Sequence, residues 1–397
     1  IKMDKAMGVL KKYSMVIVLI LVFIFFIIAT GGKMVLPQNI NNLISQNAYV
    51  FILATGMLLC ILTGGNIDLS VGCVVCISGA IGGSLMIQHN VSPALAIPVM
   101  LLMGIVIGIW QGFWIAFVRI PSFIVTLAGM LIWRGLSNVI LQGLTLAPFP
   151  DSYLALFNDY IPDFLGFIDI HVKVSGMDTK LNIACIFVGI VISVIYILAQ
   201  LRGRSTKMKK GYEVEKVSAM MVKMIIICVV ILAFSVVLSM YKGVPYMLLW
   251  IAAIVAIYTY VTKKTTMGRH LYAVGGNEKA TKLSGINTDK IYFFAYVNMA
   301  FLAAVAGLVT AARLNSANPT AGTNYEMDAI GACFIGGASA YGGVGTTGGV
   351  VVGALLMGVI NQGMIIMGVD ANWQKVVKGG VLLIAVIFDV VSKKSDK

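Results

Sequence analysis

Long apolar runs recur along the whole sequence, and they constrain the fold more than any other feature. Most are about 17–25 residues long, the length of helix that crosses a ~30 Å hydrocarbon core. The runs cover residues 14–30, 45–63, 69–87, 94–118, 122–142, 182–201, 222–241, 245–262, 289–311, 326–341, 348–367 and 373–391. Charged residues make up 11% of the chain, against about 25% in soluble domains. The sequence therefore predicts an all-α, polytopic membrane protein with about 10–12 transmembrane segments.

These runs leave too little sequence for a separate soluble domain, so we expect one transmembrane domain over residues 1–397. Two of the runs, 45–63 and 326–341, contain polar residues or many glycines, and whether they cross the membrane fully or form broken or re-entrant helices stays open. A weak internal sequence repeat supports an organisation in two related halves. Asn66–Gly72 and Asn324–Gly331 each open a glycine-rich apolar run, and such repeats are common in transporters.

The formal net charge of +13 raises the question of nucleic acid, but the distribution of the charges argues against it. Lys and Arg cluster at the N-terminus, in 202–216, in 263–282 and at the C-terminus, as expected for cytoplasmic loops of a membrane protein. Counting crossings from a cytoplasmic N-terminus places loops 202–221 and 268–286 and the C-terminus in the cytoplasm. The loop 143–181, rich in Asp, then lies outside. We expect contact with membrane lipid and no nucleic-acid partner.

No catalytic constellation is present in the sequence. The three histidines fall in separate loops, and the six cysteines lie in apolar runs without a second metal-binding pair. Gly343–Gly348 fits G-x-G-x-x-G, but a dinucleotide site needs a preceding strand and a βαβ unit, whereas small residues let membrane helices pack closely. No P-loop sequence occurs. We expect neither an enzyme nor a chain that binds a cofactor or metal.

A few polar residues within or beside the apolar runs are candidates for a translocation path or a gate. An ionised carboxylate in the centre of a membrane helix costs roughly 2.5–3.5 kcal/mol or more, so it needs a wet cavity, a partner or a helix N-terminus. Each candidate has a structural alternative: a helix cap for the acids, or pairing with a carboxylate or carbonyls for the arginine. The candidates are Asn66, Asp68, Ser70, Arg134, Asn324, Glu326 and Asp328.

A polar segment between two apolar runs, residues 268–286, contains the most specific local pattern. Residues 278–283 predict a short amphipathic helix with Ala280 and Leu283 apolar. Ser284-Gly285 predicts its end, since glycine accepts the left-handed conformation after a helix. A short helix displayed between glycines suits docking into a groove of another protein, although an ordinary solvated loop is the commoner explanation.

The residues of this segment resemble those of a known family. Glu278-x-Ala280-x-x-x-Ser284-Gly285 resembles the coupling-helix motif of ABC importer permeases, with Thr281 in place of a second alanine. The wider chain resembles the permease of ribose/xylose/galactose-type monosaccharide ABC importers. The matching segments are Gly65–Gly72, Ile120–Leu127, Arg134-Gly135, Gly268–Ile286, Tyr325–Ile330, Ile335–Ser339, Gly342–Gly345 and Lys378-Gly379. The length of 143–221 favours the xylose or multiple-sugar branch.

The resemblance implies a vitamin-B12-importer type of helical fold in the bacterial inner membrane. It implies a second permease copy, a cytoplasmic ATP-binding subunit that holds ATP and Mg²⁺, and a periplasmic or lipid-anchored sugar-binding protein. The residues expected to couple to the ATPase are Gly268, Arg269, Gly275, Gly276, Asn277, Glu278, Ala280, Ser284 and Gly285.

Two other functions stay open at this point. An ion-driven secondary transporter would use Asp68 or Arg134 as a relay within the membrane, and a non-transporting membrane scaffold would need neither residue. Relatives with similar folds also carry nucleosides or branched-chain amino acids, so the sequence does not name the solute.

Overall fold

A computed structural model describes the backbone of residues 2–167, 169–174, 177–212, 214 and 216–395. Sixteen α-helices dominate these ranges. In chain order, α1 to α16 are Lys2–Ala29, Pro37–Gln46, Ala48–Leu62, Val71–Gly83, Pro93–Ala116, Ser122–Leu141, Asp151–Phe157, Ile183–Lys209, Val217–Ser239, Tyr246–Lys264, Thr266–Gly276, Glu278–Leu283, Thr288–Leu314, Tyr325–Ile335, Thr347–Ile366 and Ala371–Ser395. A 3₁₀ turn, Lys33–Val35, precedes α2, and a π-helical turn, Ser84–Gln88, extends α4.

Within the described ranges, nine helical segments are long and apolar enough to cross a membrane, and Met15–Ala29 is a shorter apolar helix. The nine are Pro37–Leu62, Val71–Gln88, Pro93–Ala116, Ser122–Leu141, Ile183–Lys209, Val217–Ser239, Tyr246–Lys264, Thr288–Leu314 and Thr347–Ile366. The predicted all-α, polytopic membrane architecture is confirmed. The two-half repeat and the vitamin-B12-importer type of fold stay predictions.

The two ambiguous runs differ in the structure. Residues 45–63 belong to a 26-residue apolar segment, Pro37–Leu62, that breaks at Asn47 between α2 and α3. Residues 326–341 instead contain α14, whose 11 residues extend about 16 Å at 1.5 Å per residue. Because that is about half of a ~30 Å hydrocarbon core, α14 is too short to cross alone. Gly337, with φ at +85°, follows it and turns the chain.

Three segments predicted as loops contain regular structure. Helix α8 continues to Lys209, because Arg, Lys and Gln are good helix formers. The segment 268–286 contains most of α11 and all of α12, where only the second was predicted. The segment 143–181 contains α7 and a β-hairpin of β1 (His171–Val174) and β2 (Met177–Lys180), which pair antiparallel with His171 opposite Lys180.

The chain separates into two compact units. The smaller comprises residues 35–42 and 159–246 and contains the hairpin, α8 and α9. Here α8 packs against α9, and the Cys185 thiol donates to the Ser235 carbonyl at 3.3 Å. Asn41 Nδ2 donates to the Gly243 carbonyl at 3.2 Å.

The larger unit comprises residues 1–34, 43–158 and 247–397, and helix α3 forms its centre. Every residue of α3 is buried, and α13, α14 and α15 pack around it. Helix α13 has 27 residues and extends about 40 Å. One end of α13 contacts α11 and α12. At the other end, Val309, Thr310, Arg313 and Leu314 line a cavity with Tyr325 of α14. All sites described below lie in this unit.

Candidate functional site

Helix α12, Glu278–Leu283, is present with the predicted bounds. Asn277 begins it, because its Oδ1 accepts a hydrogen bond from the Ala280 amide at 3.0 Å, as an N-cap does. Gly285 follows the C-terminus with φ at +82°, and a side chain added there would meet no atom within 4 Å. The predicted end at Ser284-Gly285 is therefore confirmed, whereas the capping role of Asn277 was not predicted.

The apolar side chains of α12 face away from the rest of the unit. Leu283 is 90% exposed and Ala280 is exposed, whereas Thr281 is 6% exposed and packs inward. The Thr281 hydroxyl donates to the Asn277 carbonyl at 2.8 Å, which satisfies it within the helix. The threonine that departs from the family motif therefore lies on the inner face and leaves the displayed face unchanged.

Arg119, which no sequence motif marked, binds the inner side of α12 to the rest of the unit. Arg119 lies between α5 and α6 with φ at +63°. Its Nη1 donates to Glu278 Oε1 at 2.7 Å, and its Nη2 donates to Thr288 Oγ1 at 2.9 Å and to Asp289 Oδ1. The guanidinium lies over the ring of Tyr292, 4.9 Å from its centre. We call these five residues the Arg119 clamp.

The clamp changes the role assigned to Glu278. Burial alone would raise the pKa of Glu278, but hydrogen bonds from Arg119 and Tyr292 lower it below its usual value. The Tyr292 hydroxyl donates to Glu278 Oε2 at 3.0 Å. The carboxylate therefore fastens α12 to α13 and to the α5–α6 connection, rather than pointing outward at a partner.

The remaining residues predicted for coupling lie along α11 and at the end of α12. The Gly268 amide donates to the Thr265 hydroxyl at 3.1 Å, which caps α11. Arg269 is exposed and, among the described residues, has no ion-pair partner. Gly276 is exposed, and the Ser284 hydroxyl donates to the Ala280 carbonyl at 2.9 Å.

Three backbone segments meet at Gly275, in what we call the glycine junction: 62–65 after α3, 275–276 at the end of α11, and 340–345 after α14. A Cβ on Gly275 would lie 1.8 Å from the Leu62 carbonyl oxygen and 2.3 Å from the Gly343 amide nitrogen. The Gly343 amide donates to the Leu62 carbonyl at 3.1 Å. Gly343, the first residue of the G-x-G-x-x-G pattern, therefore serves close backbone packing at this junction, as small residues do between membrane helices.

The junction is also tied to α11 by a side chain. The Tyr272 hydroxyl donates to the Gly345 carbonyl at 2.7 Å. The end of α3 and the segment that follows α14 therefore both contact α11.

Asn66, Asp68 and Ser70 lie together between α3 and α4. Asp68 is fully buried, and its Oδ1 accepts from the Ser70 amide at 2.8 Å and the Ser70 hydroxyl at 2.6 Å. Gln111 Nε2 donates to the same hydroxyl at 2.7 Å, and Ser122 donates to Asn66 Oδ1 at 3.0 Å. Asp68 Oδ2 has no partner among the described atoms, and burial raises the pKa of this carboxyl to about 6.

Arg134 is bound to main-chain carbonyls, the structural alternative given above. Its Nη1 donates to the Pro319 carbonyl at 2.9 Å and to the Ala321 carbonyl at 2.7 Å. Asn324 precedes α14 in a left-handed conformation and makes no side-chain cap, while Glu326 lies in the first turn of the helix. Arg134 thus fixes the backbone that leads into α14.

Asp328 is the centre of a second buried polar cluster. Its Oδ2 accepts from the Tyr49 hydroxyl at 2.5 Å, from Lys378 Nζ at 2.9 Å and from Asn361 Nδ2 at 3.5 Å. Asn361 Nδ2 also donates to Asn47 Oδ1 at 3.1 Å. Asp328 Oδ1 and Asn361 Oδ1 are buried and have no partner among the described atoms.

A cavity of about 310 Å³ lies beside this cluster. The rings of Tyr49 and Tyr325 stack with centres 3.5 Å apart, and both residues line the cavity. Arg313, Asn361 and Lys378 add polar groups to the wall. Of the predicted path residues, Asn66, Asp68 and Ser70 therefore lie in one polar cluster and Asp328 lies in another. Arg134, Asn324 and Glu326 make none of the hydrogen bonds described for either cluster.

The comparisons with known proteins cover most of the chain. Residues 39–386 match the family described as "Branched-chain amino acid transport system / permease component". The xylose transport system permease protein of Haemophilus influenzae is 35% identical over 97% of this chain and 97% of its own length. That of Escherichia coli K12 is 33% identical over 97% and 93%. The ribose import permease protein of Haemophilus influenzae is 33% identical over 89% and 85%. No solved structure matches.

Proposed function

The chain belongs to the family of branched-chain amino acid transport system permease components, and from that premise we propose that it is the membrane subunit of an ATP-driven monosaccharide importer. Relatives that match nearly the whole chain are named as xylose or ribose permeases, which supports a pentose or hexose as the solute. The apolar helices agree with a multi-pass protein of the bacterial inner membrane.

The proposal that a separate ATP-binding subunit drives the transport rests on the exposed face of α12. Leu283 is 90% exposed and lies outside the nine candidate membrane spans. Fully exposing a leucine gives up roughly 1.5–3 kcal/mol relative to burying it, so a helix that displays one rigidly suits docking into a groove. The Arg119 clamp supplies the rigidity. We assign ATP and Mg²⁺ to that partner and place α12 in the cytoplasm, together with both chain termini.

The contacts of α11 suggest how the motion is transmitted. A push on α12 moves α11, and α11 contacts the glycine junction through Gly275 and Tyr272. The junction joins the end of α3 to the loop after α14. Tyr49 at the start of α3 and Asp328 on α14 both belong to the cluster beside the cavity. A displacement at one end of the unit therefore changes the walls at the other end.

The remaining partners follow from the same function. A periplasmic sugar-binding protein delivers the solute to the side of the membrane opposite α12, and a second permease copy completes the pathway. The chain itself is a transport subunit and not an enzyme.

The docking role of Leu283 is tested by replacing it with a charge. We expect Leu283→Asp to abolish co-purification of the ATP-binding subunit and sugar uptake in proteoliposomes, because a carboxylate then enters an apolar groove. Leu144→Asp is the matched control: Leu144 is 62% exposed and follows α6 outside the candidate spans. The docking role is wrong if Leu283→Asp and Leu144→Asp retain equal amounts of the ATP-binding subunit.

A further inference from the structure

We propose that the cavity between Tyr49, Tyr325, Arg313, Asn361 and Lys378 binds one neutral monosaccharide on its way through the permease. The inference rests on the proposed function and deepens it, because it places a solute site within this chain rather than in the delivery protein alone. Four observations carry it: an unpartnered buried acceptor, cationic donors, a stacked aromatic pair and the cavity size.

The polar groups of the wall require a ligand that both donates and accepts hydrogen bonds. Asn361 is 5% exposed and lines the cavity, and its Oδ1 is buried without a partner. Its Nδ2 is already committed to Asn47 and Asp328, which fixes the amide orientation. An acceptor left unpaired in a buried place is costly, so a ligand hydroxyl that donates to it gains specificity.

The cationic side chains of the wall, in contrast, need a ligand that accepts hydrogen bonds. Among the described residues Arg313 has no ion-pair partner, while Lys378 is neutralised by Asp328 at 2.9 Å. The guanidinium presents several donors in a fixed fork, which matches a pair of neighbouring hydroxyl oxygens. A sugar hydroxyl accepts from Arg313 and donates to Asn361, whereas an anion would satisfy Arg313 and leave the Asn361 oxygen unpaired. The donor and acceptor set therefore favours a neutral polyol over an anion.

Shape and size agree with a single sugar ring. The Tyr49 and Tyr325 rings stack on each other with an interplanar angle of 10°, and both residues line the cavity, so they add aromatic surface for the C–H groups of a sugar ring. The cavity volume of about 310 Å³ is at the lower end of the roughly 300–1,000 Å³ of small-molecule sites. It holds about ten water-sized molecules at ~30 Å³ each, comparable to one pentose or hexose.

The position of the cavity lets the ATP-binding subunit control it. Tyr49 opens α3 and Tyr325 opens α14, and both helices lead to the glycine junction against α11. A shift of either helix separates the stacked rings or moves Asp328 away from Lys378. Binding of the sugar and docking at α12 are thus connected through two helices.

Protection of an introduced cysteine against alkylation tests the site directly. Gln46 lines the cavity and is partly exposed, so Gln46→Cys places a thiol there. Ser152→Cys is the matched control, because Ser152 is exposed on α7 and does not line the cavity. The unsubstituted chain gives the background from the six native cysteines. The assay uses the full-length permease in nanodiscs, with D-xylose, D-ribose and ribose 5-phosphate as probes.

We expect D-xylose or D-ribose to slow alkylation of Gln46→Cys at least threefold and to leave Ser152→Cys unchanged. Adding Arg313→Gln to Gln46→Cys should remove the protection. Protection by ribose 5-phosphate but by neither neutral sugar would mean that the cavity is an anion site and would overturn the proposal. Equal alkylation rates with and without every probe would overturn it as well.

A transport measurement separates this inference from the proposed function. In the complex with the ATP-binding and sugar-binding proteins, Arg313→Gln should raise the KM for uptake about tenfold while the complex assembles normally. If the unsubstituted complex carries no monosaccharide, the proposed function fails, yet the alkylation assay still decides whether the cavity binds one. If uptake occurs without protection at Gln46→Cys, the function stands and the site is wrong.

Discussion

Removal of the Arg119 guanidinium should loosen α12 without unfolding the membrane-spanning part of the chain. The Arg119 side chain contacts Glu278 on α12 together with Thr288 and Asp289 at the start of α13. Arg119→Ala removes both ion pairs and the contact with the Tyr292 ring. The core of the unit lies elsewhere, around the buried helix α3.

The magnitude follows from the exposure of the groups. The side chains of Arg119, Glu278 and Asp289 are 39%, 36% and 37% exposed, so solvent screens both pairs. Each pair then contributes about 0.2–1 kcal/mol, and the cation–π contact about 0.5–1 kcal/mol. The sum of about 1–3 kcal/mol corresponds to a roughly 5- to 150-fold increase in local opening of α12, at about 1.4 kcal/mol per tenfold.

Hydrogen exchange of the α12 amides measures this opening. In Arg119→Ala the amides of residues 281–284 should exchange 5- to 150-fold faster, while those of α3 keep their protection. Lys290→Ala is the matched control, because it removes one exposed cation at the start of α13 outside the clamp. Arg119→Lys keeps the charge but cannot span two carboxylates, so its exchange should be intermediate. Unchanged exchange at 281–284 in Arg119→Ala would refute the clamp.

Three further outcomes follow from the buried sites. Gly275→Ala should abolish sugar uptake and lower the melting temperature, because its Cβ overlaps the Leu62 carbonyl. Gly276→Ala should leave uptake and melting temperature near the unsubstituted values, because a Cβ there meets no atom within 4 Å. Equal behaviour of the two variants would contradict the close packing at the glycine junction. Lys378→Met should destabilise the protein by about 3–5 kcal/mol, since it leaves the buried Asp328 without its cationic partner. Adding Asp328→Asn should restore most of the melting temperature; no recovery in the double variant would contradict the pairing. Since burial raises the pKa of Asp68 to about 6, its ionisation opposes folding, and the free energy of unfolding should fall by about 1 kcal/mol from pH 5 to pH 8. In thermal melts Asp68→Asn should not show that fall. An identical pH profile in the variant and the unsubstituted protein would contradict the assignment to Asp68.

Much of the architecture could be predicted from local pattern alone. Apolar runs of membrane length are set by the bilayer thickness, so the helix class and most bounds follow from the sequence. Gly285 predicted the C-terminal limit of α12, because a left-handed C′ residue acts within a few positions of the chain. The N-cap at Asn277 was not predicted, although it too is a local signal. Helix α14 could not be sized in this way, since the apolar run continues past Ile335 and the turn at Gly337 depends on tertiary packing.

The site residues were harder, because their partners are far apart in sequence. Arg119 stands alone between two spans, and its partners lie about 160–170 positions later, so no local signal marked it. Tyr49 lies inside an apolar run and looks like a core residue until Asp328 and Tyr325 are placed beside it. Lys378 did have a signal, since a cation within an apolar run needs a partner or a wet cavity.

ATP-dependent sugar uptake by the reconstituted complex tests the central claim most directly. The permease is placed in proteoliposomes with the ATP-binding subunit, ATP is enclosed on the α12 side, and the sugar-binding protein and D-xylose or D-ribose are added outside. We predict uptake against the gradient that requires ATP, survives an ionophore and disappears in Leu283→Asp. Uptake by the permease alone that ignores ATP and collapses with the ionophore would contradict the claim and identify an ion-driven transporter.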